Sequence, residues 1–221
     1  MMTTDTTTIE CTEPPNPCTL CPRLHSFIEA QKQAHPDWHN APVPSFGVPS
    51  ARLLIVGLAP GLRGANRTGR AFTGDWAGDL LYDTLTRFGF ATGRYQANPD
   101  DGLTLHDTRI TNAVRCVPPQ NKPVGAEIAT CNQFLAATIA QNAHCEVILA
   151  LGRIAHDAIL RAIAEKRSAY PFSHNARHRI PGKPTLIDSY HCSRYNTNTG
   201  RLTPDMFDAV FRSIATELGA N

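Results

Sequence analysis

The 221-residue chain is 42% hydrophobic with a formal net charge of +2, enough apolar content for one sizeable core and too little charge to mark a nucleic-acid binder by itself. Of its 21 basic residues 17 are arginine and four lysine, a bias that suits bidentate phosphate contacts but that genomic base composition explains equally well. Met1 to Thr8 is polar, no apolar run reaches membrane length, and seven cysteines are an odd number in a chain too large to need staples, so the chain reads as soluble and intracellular, with a metal or cluster ahead of a disulfide framework.

Residues 1–17, Thr-rich and then carrying Pro14, Pro15 and Pro17, are expected to form a disordered tail ahead of a single domain over 18–221. A helix is predicted over Leu20–Gln33, and a Pro-rich connector spans Pro42–Pro49. Beyond it strands and helices alternate: strand Arg52–Val56, helix Asp79–Phe88, strand Arg109–Val114, helix Ala126–Ala140, strand Glu146–Ala150, helix Arg153–Ala164, strand Thr185–Asp188 and helix Pro204–Leu218. That order predicts an α/β fold, a central mostly parallel sheet covered by helices on both faces, with functional loops at the carboxyl ends of the strands. The polar segment Lys166–Lys183 reads as a surface excursion.

The most informative stretch is Gly57-Leu58-Ala59-Pro60-Gly61, followed by Asn66-Arg67-Thr68-Gly69-Arg70 and Phe72-Thr73-Gly74-Asp75. It lies at a strand-to-helix turn, where glycines let backbone amides approach a ligand and the helix N-terminus favours anionic groups. Asp75 just ahead of a helix is most simply a cap, unless Thr73 caps and leaves the carboxylate free for a water or a developing cation. Phe72 is ordinarily a core residue, and beside this loop it equally suits a stacking platform for a base. Asn112, near a strand end, offers a donor and an acceptor to an imide-like edge. Asn121 sits in turn chemistry, and His191 follows the last predicted strand. Asn66-Arg67-Thr68 matches a glycosylation sequon, discounted because nothing indicates secretion. There is neither a P-loop lysine nor a GxGxxG pattern, which removes support from nucleotide hydrolysis and dinucleotide binding.

Cys18-Thr19-Leu20-Cys21 is a CxxC pair, and Cys116 and Cys131 flank the turn Pro118-Pro119. Four thiolates from two distant segments suit tetrahedral zinc or a [4Fe-4S] cluster, and ligand count does not choose between them. Cys145 adjoins a core strand and Cys11 falls in the tail, while Cys192 has no assigned role.

Taken together these segments resemble the uracil-DNA glycosylase superfamily, and in detail its fifth family, the type B iron-sulfur enzymes. The resemblance covers most of the chain and rests on Gly57–Gly61, on Asn66 through Asp75, on Ile110–Asn121, and on Tyr190-His191 through Asn196-Thr197-Asn198-Thr199-Gly200-Arg201-Leu202. It implies an α/β/α sandwich and a [4Fe-4S] cluster on Cys18, Cys21, Cys116 and Cys131. It also implies a monofunctional hydrolase that removes uracil and other deaminated or damaged bases from DNA, in a cytoplasmic, nucleoid-associated setting. Leu58 stands where the related fourth family has a glutamate, so Asp75 inherits the catalytic assignment, with Asn121 helping to position water. Two departures from the family stand out. Asn112 replaces an alanine common in type B members, which tilts the expectation toward uracil, and Cys192 replaces the proline often found after the motif histidine.

In the mechanism this implies, the extruded base stacks on Phe72 and is read by Asn112. Amides around Gly57, Leu58 and Ala59, with His191, stabilise the charge on the leaving base, and Asp75 stabilises the electron-poor sugar. Ser193, Arg194, Tyr195 and Asn196 are expected to hold the extruded state, with Arg63, Arg67, Arg70 and the stretch around Arg177 and Arg179 at phosphates. The competing reading is a zinc-stabilised nucleic-acid-binding module without catalysis, in which Asp75 only caps a helix.

Overall fold

The computed structural model describes residues 12–219. In chain order the elements are α1 (Pro22–Ala34), β1 (Phe46–Gly47), β2 (Leu53–Gly57), α2 (Ala65–Thr68), α3 (Trp76–Arg87), β3 (Ala91–Thr92), β4 (Thr104–Leu105), β5 (Thr108–Asn112), α4 (Gly125–Ala140), β6 (Val147–Leu151), α5 (Arg153–Ala162), β7 (Arg177–His178), β8 (Thr185–Ser189), α6 (Arg194–Asn198) and α7 (Pro204–Glu217). Six strands form one sheet in the order β1-β5-β2-β6-β8-β7. The inner four run parallel, and the two-residue β1 and β7 pair antiparallel at the edges.

Every residue of β2, β5 and β6 is buried, as parallel strands covered on both faces require. The two-residue period of a strand divides β2 between two cores. Leu53 and Ile55 pack with Leu81 and Leu85 of α3 and with Phe207 and Phe211 of α7. Leu54 and Val56 pack with Leu135 and Ile139 of α4 and Ile159 of α5. The result is the three-layer α/β/α sandwich that the alternation of elements predicts. From β2 the chain steps to β5 on one side and then back to β6 on the other, which opens a crevice above the carboxyl end of β2.

A third cluster joins Leu24 and Ile28 of α1 to Val114, Val117 and Phe134. The bidentate pair of Arg23 with Glu127, at 2.7 Å through each nitrogen, ties α1 to the first turn of α4 at the same place. Of the expected tail, residues 1–11, with Cys11, lie outside the described residues. Glu13, by contrast, is anchored by Arg109 at 3.1 Å and Arg115 at 2.9 Å. Arg115 is itself 1% exposed, and a buried guanidinium needs such a counter-charge.

The Lys166–Lys183 segment is tied down more firmly than a surface excursion needs. It contributes β7 to the sheet edge, and His178 Nε2 lies 2.9 Å from Asp188 Oδ2. Asp188 Oδ1 is held in turn by His156 Nδ1 at 2.7 Å, and Ser173 N donates to Oδ2 at 3.3 Å. A carboxylate with 0% exposure thus has both oxygens hydrogen-bonded, through three contacts near the end of β8.

Arg70, expected at a DNA phosphate, is placed inside the protein. Its guanidinium makes a bidentate pair with Asp101, at 2.7 and 2.8 Å, and lies over the rings of Phe46, Tyr82 and Tyr95. The motif arginine is therefore a structural clamp between the 66–75 loop and the 95–103 loop. Replacing Asp101 with Ala leaves a buried unpaired cation and is expected to cost about 3–5 kcal/mol in chemical denaturation. The pairing also holds the Asp101 carboxyl at about 2, against an ordinary value of 3.8. Its stabilisation is complete above the ordinary value and lost as the pH falls through about 2. Stability curves of wild type and D101A should converge over that interval.

Candidate active site

Three strand ends meet in the crevice. Gly57 closes β2 and is paired in register with Asn112 at the end of β5, and His191 lies two residues beyond β8. Gly57 has to be glycine. A side-chain carbon there would overlap Asn112 Oδ1 and meet the Phe72 ring at 2.5 Å, so its absence lets an amide and an aromatic ring converge over one backbone position. Phe72 sits at φ 53, a left-handed conformation that costs an aromatic residue energy and persists only where its surroundings impose it. Here the Tyr82 hydroxyl donates to Ala71 O, while Tyr95 accepts from Gly74 N at 3.1 Å and donates to Phe72 O at 3.3 Å. The His191 ring lies against Phe72 with centroids 6.0 Å apart and planes 27° from parallel.

Asp75 is the N-cap of α3: Oδ1 accepts from Ala77 N at 3.2 Å. Thr73 does not take that task, because its hydroxyl donates to Ala71 O and accepts from Arg70 Nε. The Ala77 amide engages Oδ1. Oδ2 faces Gly61 and Gly64, where a side-chain carbon would lie 2.8 Å away in the first case and overlap in the second. Burial raises the Asp75 pKa above the usual carboxylate value, against the opposing pull of the Ala77 and Gly78 amides. Beside it Cys192 is fully buried, and burial, reinforced by the Asp75 charge, pushes its thiol up.

Burial holds His191 at about 4, so its ring is neutral at physiological pH. Its Nδ1 is shielded from solvent and has no hydrogen-bond partner among the described residues. The backbone beside it is secured by Asn196, whose Nδ2 donates to His191 O at 2.8 Å. Ser193 caps α6 through Asn196 N, and Arg194 and Tyr195 project from the same short helix, Tyr195 72% exposed.

Leu58 and Ala59 are half-buried at the turn beyond β2, where Leu58 O accepts from Val114 N at 2.9 Å. Asn121 is exposed and accepts from Leu62 N at 3.3 Å, so it fixes the loop that carries Gly61. Arg63 and Arg67 are exposed, and neither joins an ion pair among the described residues. Arg177 and Arg179, expected at phosphates, are both directed at Glu217, at 3.4 and 3.1 Å, which offsets their charge. Asn66 is fully buried and donates to Asn40 Oδ1 at 2.9 Å, so the sequon match is a loop clamp.

Cys18, Cys21, Cys116 and Cys131 line one pocket with Leu24, Val114 and Phe134. Burial raises Cys116 and Cys131, the latter to about 11, and the neighbouring thiols push both further up. Buried thiols raised in this way ionise readily only beside a cation, and with Cys18 and Cys21 in the same pocket the set suits a metal or cluster. Arg115 N, in turn, donates to Cys131 Sγ at 3.4 Å. Among the described residues no three cysteine sulfurs lie within 4.8 Å of one another. The active-site turn leans on this same region, since Ala59 and Leu62 pack against the cluster that contains Cys116 and Cys131.

Sequence reasoning missed Trp76, Tyr95, Gly64 and the paired histidines at Asp188. A tryptophan directly after the motif aspartate was the one visible signal; the others depend on contacts distant in sequence.

The model of the uracil DNA glycosylase superfamily matches residues 44–215, and the chain belongs to that superfamily. Within it, the chain is 45% identical over 196 residues to a type-5 uracil-DNA glycosylase of Thermus thermophilus, covering 86% of this chain and 89% of the relative. A type-5 uracil-DNA glycosylase of Mycobacterium tuberculosis is 41% identical over 203 residues, covering 88% and 76% respectively. A type-4 uracil-DNA glycosylase of Pyrobaculum aerophilum is 32% identical over 150 residues, 67% of this chain and 62% of the relative.

The low His191 pKa gives a direct check on the site. In a heteronuclear NMR titration the His191 ring should stay neutral as the pH falls through the ordinary histidine value of 6.5 and protonate near 4. Titration near 6.5 would show that the ring is solvated.

Proposed function

We propose that the protein is a monofunctional uracil-DNA glycosylase of DNA repair, acting in the cytoplasm on DNA and hydrolysing the N-glycosidic bond of uracil and other deaminated bases. The observation that carries this reading is the Asp75 carboxylate, with Oδ1 fixed by the helix cap and Oδ2 against Gly61 and Gly64, on the same loop as Phe72, which converges with Asn112 over Gly57 and lies against His191. An extruded base stacks on Phe72 and presents its edge to Asn112. As the bond to C1′ lengthens, negative charge gathers on the base and positive charge on the sugar. A neutral histidine with a proton to share stabilises the former without giving that proton up, a pattern known from other enzymes with depressed histidine pKa values. Asp75 stabilises the oxocarbenium-like sugar and orients the water that adds to C1′. The water's hydroxyl ends on the sugar and its proton is left for the departed base. None of the residues assigned to the site is a lysine, so no amine is supplied to form an imine at C1′, and the product is an abasic site in an intact strand.

Cys18, Cys21, Cys116 and Cys131 hold a [4Fe-4S] cluster in this reading. Support comes from the four cysteines lining one pocket and from the resemblance to the type B iron-sulfur enzymes, which is what selects a cluster over zinc. Such a cluster would brace the N-terminal segment against the turn that carries Ala59 and Leu62, and base hydrolysis asks no redox work of it. Arg63, Arg67, Arg194 and Tyr195 face the DNA.

Asp75→Asn should lower single-turnover excision of uracil by a factor of about 10² or more while changing DNA affinity little, since one lost charge interaction of this kind is worth roughly 3 kcal/mol. Excision at the wild-type rate would remove Asp75 from the chemistry. Because burial raises the Asp75 pKa and the ionised form is the active one, the acid limb of the excision rate should fall above the ordinary carboxylate value of 3.8. Purified protein should be yellow-brown and carry iron with acid-labile sulfide. Stoichiometric zinc in colourless, active protein would contradict the cluster.

A further inference from the structure

Trp76 is held in a way that neither core packing nor catalysis requires. It is the first residue of α3, directly after Asp75, and its side chain remains 48% exposed. Even so the ring does not swing freely. Its Nε1–H donates to Thr197 Oγ1 in α6 at 2.9 Å, and the Arg194 guanidinium lies 5.6 Å over its ring. The same α6 is tied to His191 through Asn196 and presents Tyr195, the most exposed large hydrophobic side chain among the described residues. An exposed indole pinned at its polar edge, with a cation against it, gains little for folding. It is ready for a planar partner, because its ordering cost has been met before binding.

We propose that Trp76 is a second stacking platform, outside the base pocket, for an unstacked nucleobase next to the extruded nucleotide. It gives the protein affinity for single-stranded DNA. The inference rests on the glycosylase reading for its partner and goes beyond it in naming the strand state recognised. Three observations select the occupant. The platform is continuous in sequence with Asp75, so the strand that delivers its sugar there passes beside it. The charge near it, from Arg194 over the ring and from the exposed Arg67, whose Nη2 lies by Gly74, complements a phosphate backbone. An aromatic face with an adjacent arginine stacks on any of the four bases, but only where the duplex has opened and a base face is free.

The chain has two tryptophans, and the other, Trp38, stacks on His35 and lines a separate pocket that Arg67 also borders. A Trp38→Phe protein therefore reports on Trp76 alone. Titrated with a lesion-free single-stranded oligonucleotide, its emission should be quenched saturably, in step with fluorescence anisotropy of the labelled oligonucleotide. In the wild-type background Trp76→Ala should weaken single-strand binding roughly tenfold or more. Trp76→Phe should recover most of the loss, and duplex binding should fall much less.

Trp76 emission unchanged at saturating oligonucleotide, or no binding at all, overturns the platform without depending on any Trp76 variant. Equal losses for single strand and duplex overturn it as well. Quenching by a protein that excises no lesion would instead count against the glycosylase reading alone. Excision without quenching would count against the platform alone.

Discussion

The structure turns on one carboxylate shared between two tasks. Asp75 Oδ1 starts α3 by accepting from Ala77 N, and Oδ2 is left facing Gly61 and Gly64. Capping is usually the reason to doubt that an aspartate at a helix start does chemistry. In the proposed mechanism it is what makes chemistry possible, since the cap bond fixes the rotamer and leaves the second oxygen uncapped. The two glycines let that oxygen lie close against the backbone, and burial raises the pKa against the pull of the α3 amides. Among the described residues no basic side chain forms an ion pair with Asp75.

Everything around this carboxylate serves to hold neighbouring groups at fixed distances. The parallel strands deliver Gly57 and Asn112 in register, and the absent side chain of Gly57 allows Phe72 and Asn112 to approach each other. Phe72 keeps a costly backbone conformation because Tyr82 and Tyr95 bind the carbonyls on either side of it. Arg70 supports the same loop from below with Asp101. At the back of the turn, Ala59 and Leu62 rest on the hydrophobic cluster that includes two of the four cysteines. The cysteine pocket and the loop carrying Gly61 therefore share a wall, so the cluster of the proposed function would brace that loop without being asked to transfer electrons.

Much of this was legible in the chain itself. Continuous apolar runs of strand length alternating with amphipathic segments fix a parallel sheet between helices, and the Gly-rich motif falls at the end of its first inner strand. The beginning of α3 was misplaced by one turn because apolar periodicity starts only beyond Asp79, whereas the helix is begun by a polar cap. Arg70 was assigned to DNA because arginine in a motif suggests a phosphate; its true partner, Asp101, lies in a loop that no local pattern links to it. The same holds for Arg177 and Arg179, whose shared partner Glu217 is near the other end of the chain. Glu13 reads as part of a floppy tail until two buried arginines are seen to need it. Sequence resolves what is periodic or adjacent, while these contacts are neither.

The most direct measurement is a crystal structure with an oligonucleotide carrying 2′-fluoro-deoxyuridine, whose glycosidic bond resists cleavage. The uracil should lie on Phe72 with its edge at Asn112, its sugar turned so that C1′ faces Asp75 Oδ2, and the cap bond to Ala77 N intact. A uracil left stacked in the strand, or an Asp75 with both oxygens committed to α3 and the sugar elsewhere, would contradict the account.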